Sequence, residues 1–147
     1  MTDSESRSIV IERELPHAPE KVWRALTQSA LIKEWLLEND FEPVVGRKFN
    51  FCSSPTPHWN GVTDCEVVAV EPYKRLSYSW NSSGAEAANG LKTVVTWTLT
   101  PTRTGVLLGM EQAGFRGDQE ANYRGAQYGW QRYFDGLARV VDGLARS

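Results

Sequence analysis

The sequence predicts an α+β domain in which several antiparallel strands are covered by one long C-terminal helix. Three observations carry that prediction. Residues 119–147 place Ala126, Trp130, Tyr133, Phe134, Leu137, Val140, Val141 and Leu144 at steps of three and four, the stripe of an amphipathic helix. The stretch from 44 to 115 instead alternates apolar and polar residues with the period of a half-buried strand. The chain has 147 residues, 41% apolar and 23% charged, which suits one globular domain with an ordinary core. The domain is expected to fill residues 1–147, with 1–8 as a flexible N-terminal tail.

Taken in order, Ile9, Ile11 and Leu15 share one side of a first strand, and Glu12 and Glu14 the other. Arg13 has the parity of the apolar side, so it either finds a partner inside or reaches water at the strand end. Pro19 suits the first position of a helix, with Glu20 in the first turn where the helix dipole favours an acid. Pro19–Leu26 and Ser29–Leu36 therefore form two short helices, which are too short to stand alone. Strands follow at Arg47–Phe51 and at Val62–Val70, where apolar residues at 67, 68 and 70 blur the parity and suggest a bulge. Leu76, Tyr78 and Trp80 line one face of the next strand. Val95, Trp97 and Leu99 line the one after, opposite three threonines and Val94. Val106, Leu108 and Met110 line the last. Loops rich in Pro, Gly and Ser separate them. The order is strand, two short helices, about five strands and a long helix, giving about six strands in all.

The long helix, about 26 residues and roughly 40 Å, contains Gly125, Gly129, Gly136 and Gly143. Each costs about 1 kcal/mol relative to alanine. Either another backbone or aromatic ring approaches closely there, or the helix is kept thin above a cavity.

Composition excludes several function classes. The net charge is −2 with no basic run, so neither nucleic acid nor an anionic membrane surface is an expected partner. No 18-residue apolar run or signal-like leader occurs, and the expected location is the cytoplasm. Cys52 and Cys65 are too few for a disulfide scaffold and are expected to be two buried free thiols. With His58 they make no recognised metal-ligand spacing, so no metal or cofactor is expected. No nucleophile elbow, phosphate-binding loop, dinucleotide fingerprint or metalloprotease motif is present, and no catalytic residue is assigned.

Six tryptophans spread along the chain imply a thick aromatic core or an aromatic-lined pocket. The candidate lining residues are Trp35, Phe41, Phe49, Phe51, Tyr78, Trp80 and Trp97, with Met110 and Phe115 from the last strand. Tyr123, Gln127, Trp130 and Phe134 are the candidates from the helix. Arg13, His58 and Trp59 are candidate polar cavity or mouth residues. For any single one of these side chains, simple core filling is the favoured reading.

Two segments, APEKVWRALT at 18–27 and LIKEW at 31–35, resemble the opening of the SRPBCC superfamily (START-like, Bet v 1-like). The nearest likeness is to single-domain homologues of the activator of the heat-shock-protein-90 ATPase. FEPVVG at 41–46, EVVAVEP at 66–72, RLSYSW at 75–80, TVVTW at 93–97, Gly114-Phe115 and Gly129-Trp130 agree in order and spacing. Two departures are Gly46-Arg47, where many relatives carry Gly-Gly, and Trp35-Leu36, where many carry Trp-Trp.

The resemblance implies a helix-grip fold, a curved sheet wrapped around the C-terminal helix with an apolar cavity between them. It also implies a binding module for a small hydrophobic or amphipathic ligand, as a monomer or homodimer. The alternative is a co-chaperone-like interaction domain, although such activators carry a further N-terminal domain and this chain begins about eight residues before its first strand. A third reading, a cyclase- or aromatase-like enzyme, would need Arg13, Tyr78, Tyr123 and Gln127 to converge inside.

Overall fold

The computed structural model describes residues 7–52, 61–82, 92–115 and 120–144. Strand β1 (Arg7–Leu15) is followed by α1 (Pro19–Thr27) and α2 (Ser29–Trp35). Then come β2 (Glu38–Asn39), β3 (Lys48–Cys52), β4 (Val62–Glu71), β5 (Arg75–Ser82), β6 (Lys92–Pro101), β7 (Val106–Phe115) and α3 (Glu120–Leu144). All strands join one antiparallel sheet in the order β1-β7-β6-β5-β4-β3-β2. The α+β class, the element order and the helix-grip arrangement agree with the sequence. The sheet has seven strands among the described residues, one more than expected. The extra one is the two-residue β2, too short to show any alternation. Asn39 holds it, donating through Nδ2 to the carbonyls of Ser29 and Leu37 and accepting from the Phe41 amide. The proposed tail at 1–8 lies mostly outside the described residues.

Two bulges set which side chains enter the core. In β4, Val67 pairs with Tyr78 and Ala69 with Ser77, so Val68 is the extra residue. It points outward at 52% exposure, and Val70 turns back toward the core. In β7, Phe115 pairs with Arg7 and Ala113 with Ser8, so Gly114 is unpaired. Its φ of +111° suits glycine, and a Cβ there would come 2.9 Å from the Lys92 carbonyl oxygen. The added residue reverses the parity set by Val106, Leu108 and Met110, so Phe115 is fully buried.

The long helix lays Trp130, Phe134, Leu137 and Val141 on the sheet. Its first-to-last seam with β1 is polar: Tyr123 donates to the Ser8 carbonyl, Arg13 Nη1 to Asp135 Oδ1 at 2.9 Å, and His17 Nε2 lies 2.7 Å from Asp142 Oδ1. The short helices share Gln28 as the C-cap of one and the N-cap of the next. They close one end of the grip.

The four helix glycines have different settings. Among the described residues, no atom lies within 4 Å of a Cβ built at Gly125 or Gly143. At Gly136 a Cβ would already touch the Trp35 Cβ at 3.4 Å and its backbone at 3.5 Å. Close approach therefore accounts for Gly136. We expect Gly125→Ala to raise stability by up to about 1 kcal/mol, while Gly136→Val lowers it by about 1–3 kcal/mol through overpacking against Trp35. Urea unfolding of the two variants measures both signs.

At the β6–β7 hairpin, Glu14 accepts hydrogen bonds from Thr102 Oγ1 at 2.6 Å and Thr104 Oγ1 at 2.9 Å. These two bonds hold its carboxyl below the ordinary 4.5. A folded-state pKa below the unfolded one gives stability that is present above the unfolded value and fades as pH falls through the folded one. NMR titration is expected to place the Glu14 midpoint below 4.5, and Thr102→Val with Thr104→Val should move it upward.

Candidate functional site

The concave sheet face and α3 bring most of the candidate aromatics into one network. Phe41, Phe49, Phe51 and Tyr78 form a group of edge-to-face contacts, with the Phe51–Tyr78 pair tilted, and ring centroids 5.0–6.0 Å apart. Phe51 continues to Trp80 at 5.0 Å, Trp80 to Trp130 at 5.4 Å, and Trp130 to Trp97 at 5.7 Å. Trp97 meets Phe134 and Trp35, each at 5.6 Å. Offset and perpendicular contacts of this kind are favoured by ring quadrupoles. All of these rings are buried except that of Trp80, which is half-buried. Met110 is buried on the same sheet face.

Alternation places these residues. Tyr78, Val95, Gln112 and Ile9 lie opposite one another on β5, β6, β7 and β1, as do Leu76, Trp97, Met110 and Ile11 one step along. One cross-strand row thus carries a phenol and an amide into the core. Trp97 Nε1 donates to the Tyr78 hydroxyl oxygen at 2.9 Å. Trp130 Nε1 donates to Gln112 Oε1 at 2.7 Å, and Gln112 Nε2 donates to Thr93 Oγ1 at 3.0 Å. The indole N–H can only donate, so it fixes the orientation of the Gln112 amide. Trp35 Nε1 donates to the Ala25 carbonyl at 2.8 Å. Burial pushes the Tyr78 phenol far above its ordinary range, with the Cys65 thiol adding to the shift and the Trp97 hydrogen bond opposing it. Tyr78 is therefore a protonated donor at any physiological pH.

Other candidates lie elsewhere. Phe115 and Tyr123 form a separate pair at 5.3 Å beside β1, with the Arg7 guanidinium 4.3 Å above the Tyr123 ring. Gln127 is exposed on α3. Arg13 lies 5.5 Å from the Phe134 ring, but its side chain is 33% exposed and paired with Asp135 at the surface. Arg13, Tyr78, Tyr123 and Gln127, the set an enzyme reading needs, are therefore not brought together. His58 and Trp59 lie outside the described residues.

Gln112 and Thr93 were absent from the sequence candidates. Gln112 continues the inward parity of Leu108 and Met110, so period-2 register was the available signal. The cysteines need a correction. They are free, but only Cys65 is buried; Cys52 is exposed, because adjacent residues on β3 face opposite sides and Phe51 takes the inner one. Among the described residues no group of His, Cys, Asp and Glu could hold a metal ion, and no helix is long and apolar enough to cross a membrane.

A separate surface hollow of about 410 Å³ is lined by Gly129, Arg132, Tyr133, Asp135 and Arg139. Tyr133 stands between it and the interior, its ring 5.5 Å from Trp130. The missing side chain at Gly129 leaves room beside that ring.

Residues 16–142 match the profile of a family described as activator of Hsp90 ATPase homolog 1-like protein. The chain belongs to this family. Among solved structures, it is similar to protein MLL2253 from Mesorhizobium loti, with 54% identity and a TM-score of 0.85 over 92% of this chain and 97% of that one. It is also similar to protein BH1534 from Bacillus halodurans, with 25% identity and a TM-score of 0.75 over 92% and 96% of the two chains. CalU16 from Micromonospora echinospora, at 23% identity and a TM-score of 0.73 over 93% and 77%, shares the fold. No curated protein matches the chain.

The two cysteines provide a direct check on the orientation of β3 and β4. Burial, helped by the charges of Asp64 and Asp40, raises the Cys65 thiol well above its ordinary range. Under native conditions a maleimide is expected to modify Cys52 quickly and Cys65 only on unfolding, as resolved by peptide mass spectrometry.

Proposed function

We propose that this domain binds a small, flat, largely apolar molecule among the aromatic rings between the sheet and α3. One observation carries this: the ring network contains three indole N–H groups and a phenol that are buried and hydrogen-bonded. Volume alone could be filled by Leu, Ile, Val and Phe, without polar atoms that each require a buried partner. Aromatic walls with a few placed polar groups are the usual lining of a small-molecule site. The contacts between neighbouring rings then represent the side chains that a ligand would meet or part.

A second reading, a chaperone-interaction domain, is favoured by the family description and by the convex sheet face, where Val10, Val68 and Val94 are exposed. It predicts that the isolated domain changes the ATPase rate of a heat-shock-90 chaperone.

Native mass spectrometry of protein purified from its own host is expected to show a stoichiometric small apolar compound, released on denaturation. Tryptophan fluorescence should then be quenched saturably by that compound, and Trp130→Phe should weaken binding at least about fivefold, consistent with loss of roughly 1 kcal/mol of contact. An empty protein with no tryptophan response to a panel of lipids and polycyclic aromatics would overturn the ligand reading.

A further inference from the structure

Two hydrogen-bond chains run through the aromatic interior, and they end differently. The first starts at Trp130 Nε1, passes through the Gln112 amide and the Thr93 hydroxyl, and finishes on the Trp80 carbonyl oxygen at 2.7 Å. The second starts at Trp97 Nε1, reaches the Tyr78 hydroxyl oxygen and stops. No acceptor among the described residues receives the Tyr78 proton. Tyr78 is 3% exposed, and the rings of Phe41, Phe49 and Phe51 packed around it present only carbon; the Cys65 thiol also acts on the phenol but is turned to the Thr63 carbonyl.

A buried donor left without an acceptor costs about 1–3 kcal/mol. The incoming Trp97 bond polarises the phenol and makes its proton a better donor still. Tyr78 could be present only to accept from Trp97, but a backbone carbonyl ends the first chain with no proton left over. The second chain is built with a free end.

We propose that the Tyr78 hydroxyl is the recognition donor of this domain, and that the molecule it takes is a neutral aromatic carbonyl compound whose oxygen completes the Trp97–Tyr78 chain. This rests on the ligand-binding reading above and narrows it. Neutrality follows from the surroundings. The guanidinium nearest the ring network in the described contacts, Arg13 beside Phe134, is already paired with Asp135. A carboxylate at Tyr78 would be a buried charge without a counter-charge, whereas a ketone or quinone oxygen loses little hydration.

The test compares three ligands of one shape by equilibrium dialysis: 9-fluorenone, fluorene and fluorene-9-carboxylate. The wild-type protein is expected to bind the ketone about tenfold tighter than the hydrocarbon and the carboxylate weakest. Tyr78→Phe should bring the ketone-to-hydrocarbon ratio to about one while fluorene affinity is retained. Because that variant also strips Trp97 of its acceptor, a second measurement uses the wild-type protein alone. The infrared carbonyl stretch of bound fluorenone should move to lower wavenumber than in an apolar solvent, as it does on accepting a hydrogen bond. Equal binding of ketone and hydrocarbon, an unshifted stretch, or a preference that survives Tyr78→Phe overturns the assignment and leaves the ligand reading standing. Failure of the wild-type protein to bind any of the three overturns both.

Discussion

The fold depends on the way Trp35 is clasped. Its indole N–H donates to the Ala25 carbonyl, joining α2 to α1. Its ring stands edge-on to Trp97 in the middle of the sheet, and its backbone lies against Gly136 of the long helix. One residue thus touches every layer. The two short helices cannot persist by propensity alone, and this is the contact that anchors them between sheet and α3. Its geometry explains why residue 136 must be small, since a side chain there larger than a methyl would push against Trp35.

The sheet separates two kinds of chemistry by parity. Inward positions carry rings and the few polar groups that serve them. Outward positions carry hydroxyls, amides and charges, such as Ser77 bonded to Thr96 and Asn50 bonded to Asp64, together with the exposed Val10, Val68 and Val94. The bulges at Val68 and Gly114 are where the pattern is reset, and each does so to bring a particular side chain inward. Without the Gly114 bulge Phe115 would point to water, and the Phe115–Tyr123 contact that starts the long helix would be lost.

Most of the architecture was legible because it depends on periodicity. The helix stripe from Trp130 to Val141, the alternation of β5 to β7 and the disturbed parity near Val68 are all local signals. What was not legible depends on distance or on single residues. The partner of Arg13 is Asp135, 122 residues away, and no local pattern announces it. Strand β2 has only two residues and exists because the Asn39 side chain binds neighbouring carbonyls. Cys52 was expected inside, yet its parity with Lys48 and Asn50 places it outside. Of the candidate site, the aromatic members were visible by type and parity. Gln112 and Thr93 were overlooked because polar residues on an apolar face gain meaning only when their partners are known, and Trp130 and Trp80 come from other elements.

The seam between β1 and α3 also bears on how the chain acquires its structure. Among the described residues the first strand pairs only with β7, and it and the turn after it are tied across to the helix through Ser8, Arg13 and His17, all contacts between residues far apart in the sequence. Loop-closure entropy must be met before such contacts contribute. During synthesis β1 emerges before the other elements of this domain and has to wait, with its ladder groups unpaired, until β7 has also left the ribosome. The charges on Glu12, Arg13 and Glu14 sit on that waiting strand, where they oppose pairing with another copy. Arg13, which later braces the helix through Asp135, thus acts earlier as one of the guards against premature association.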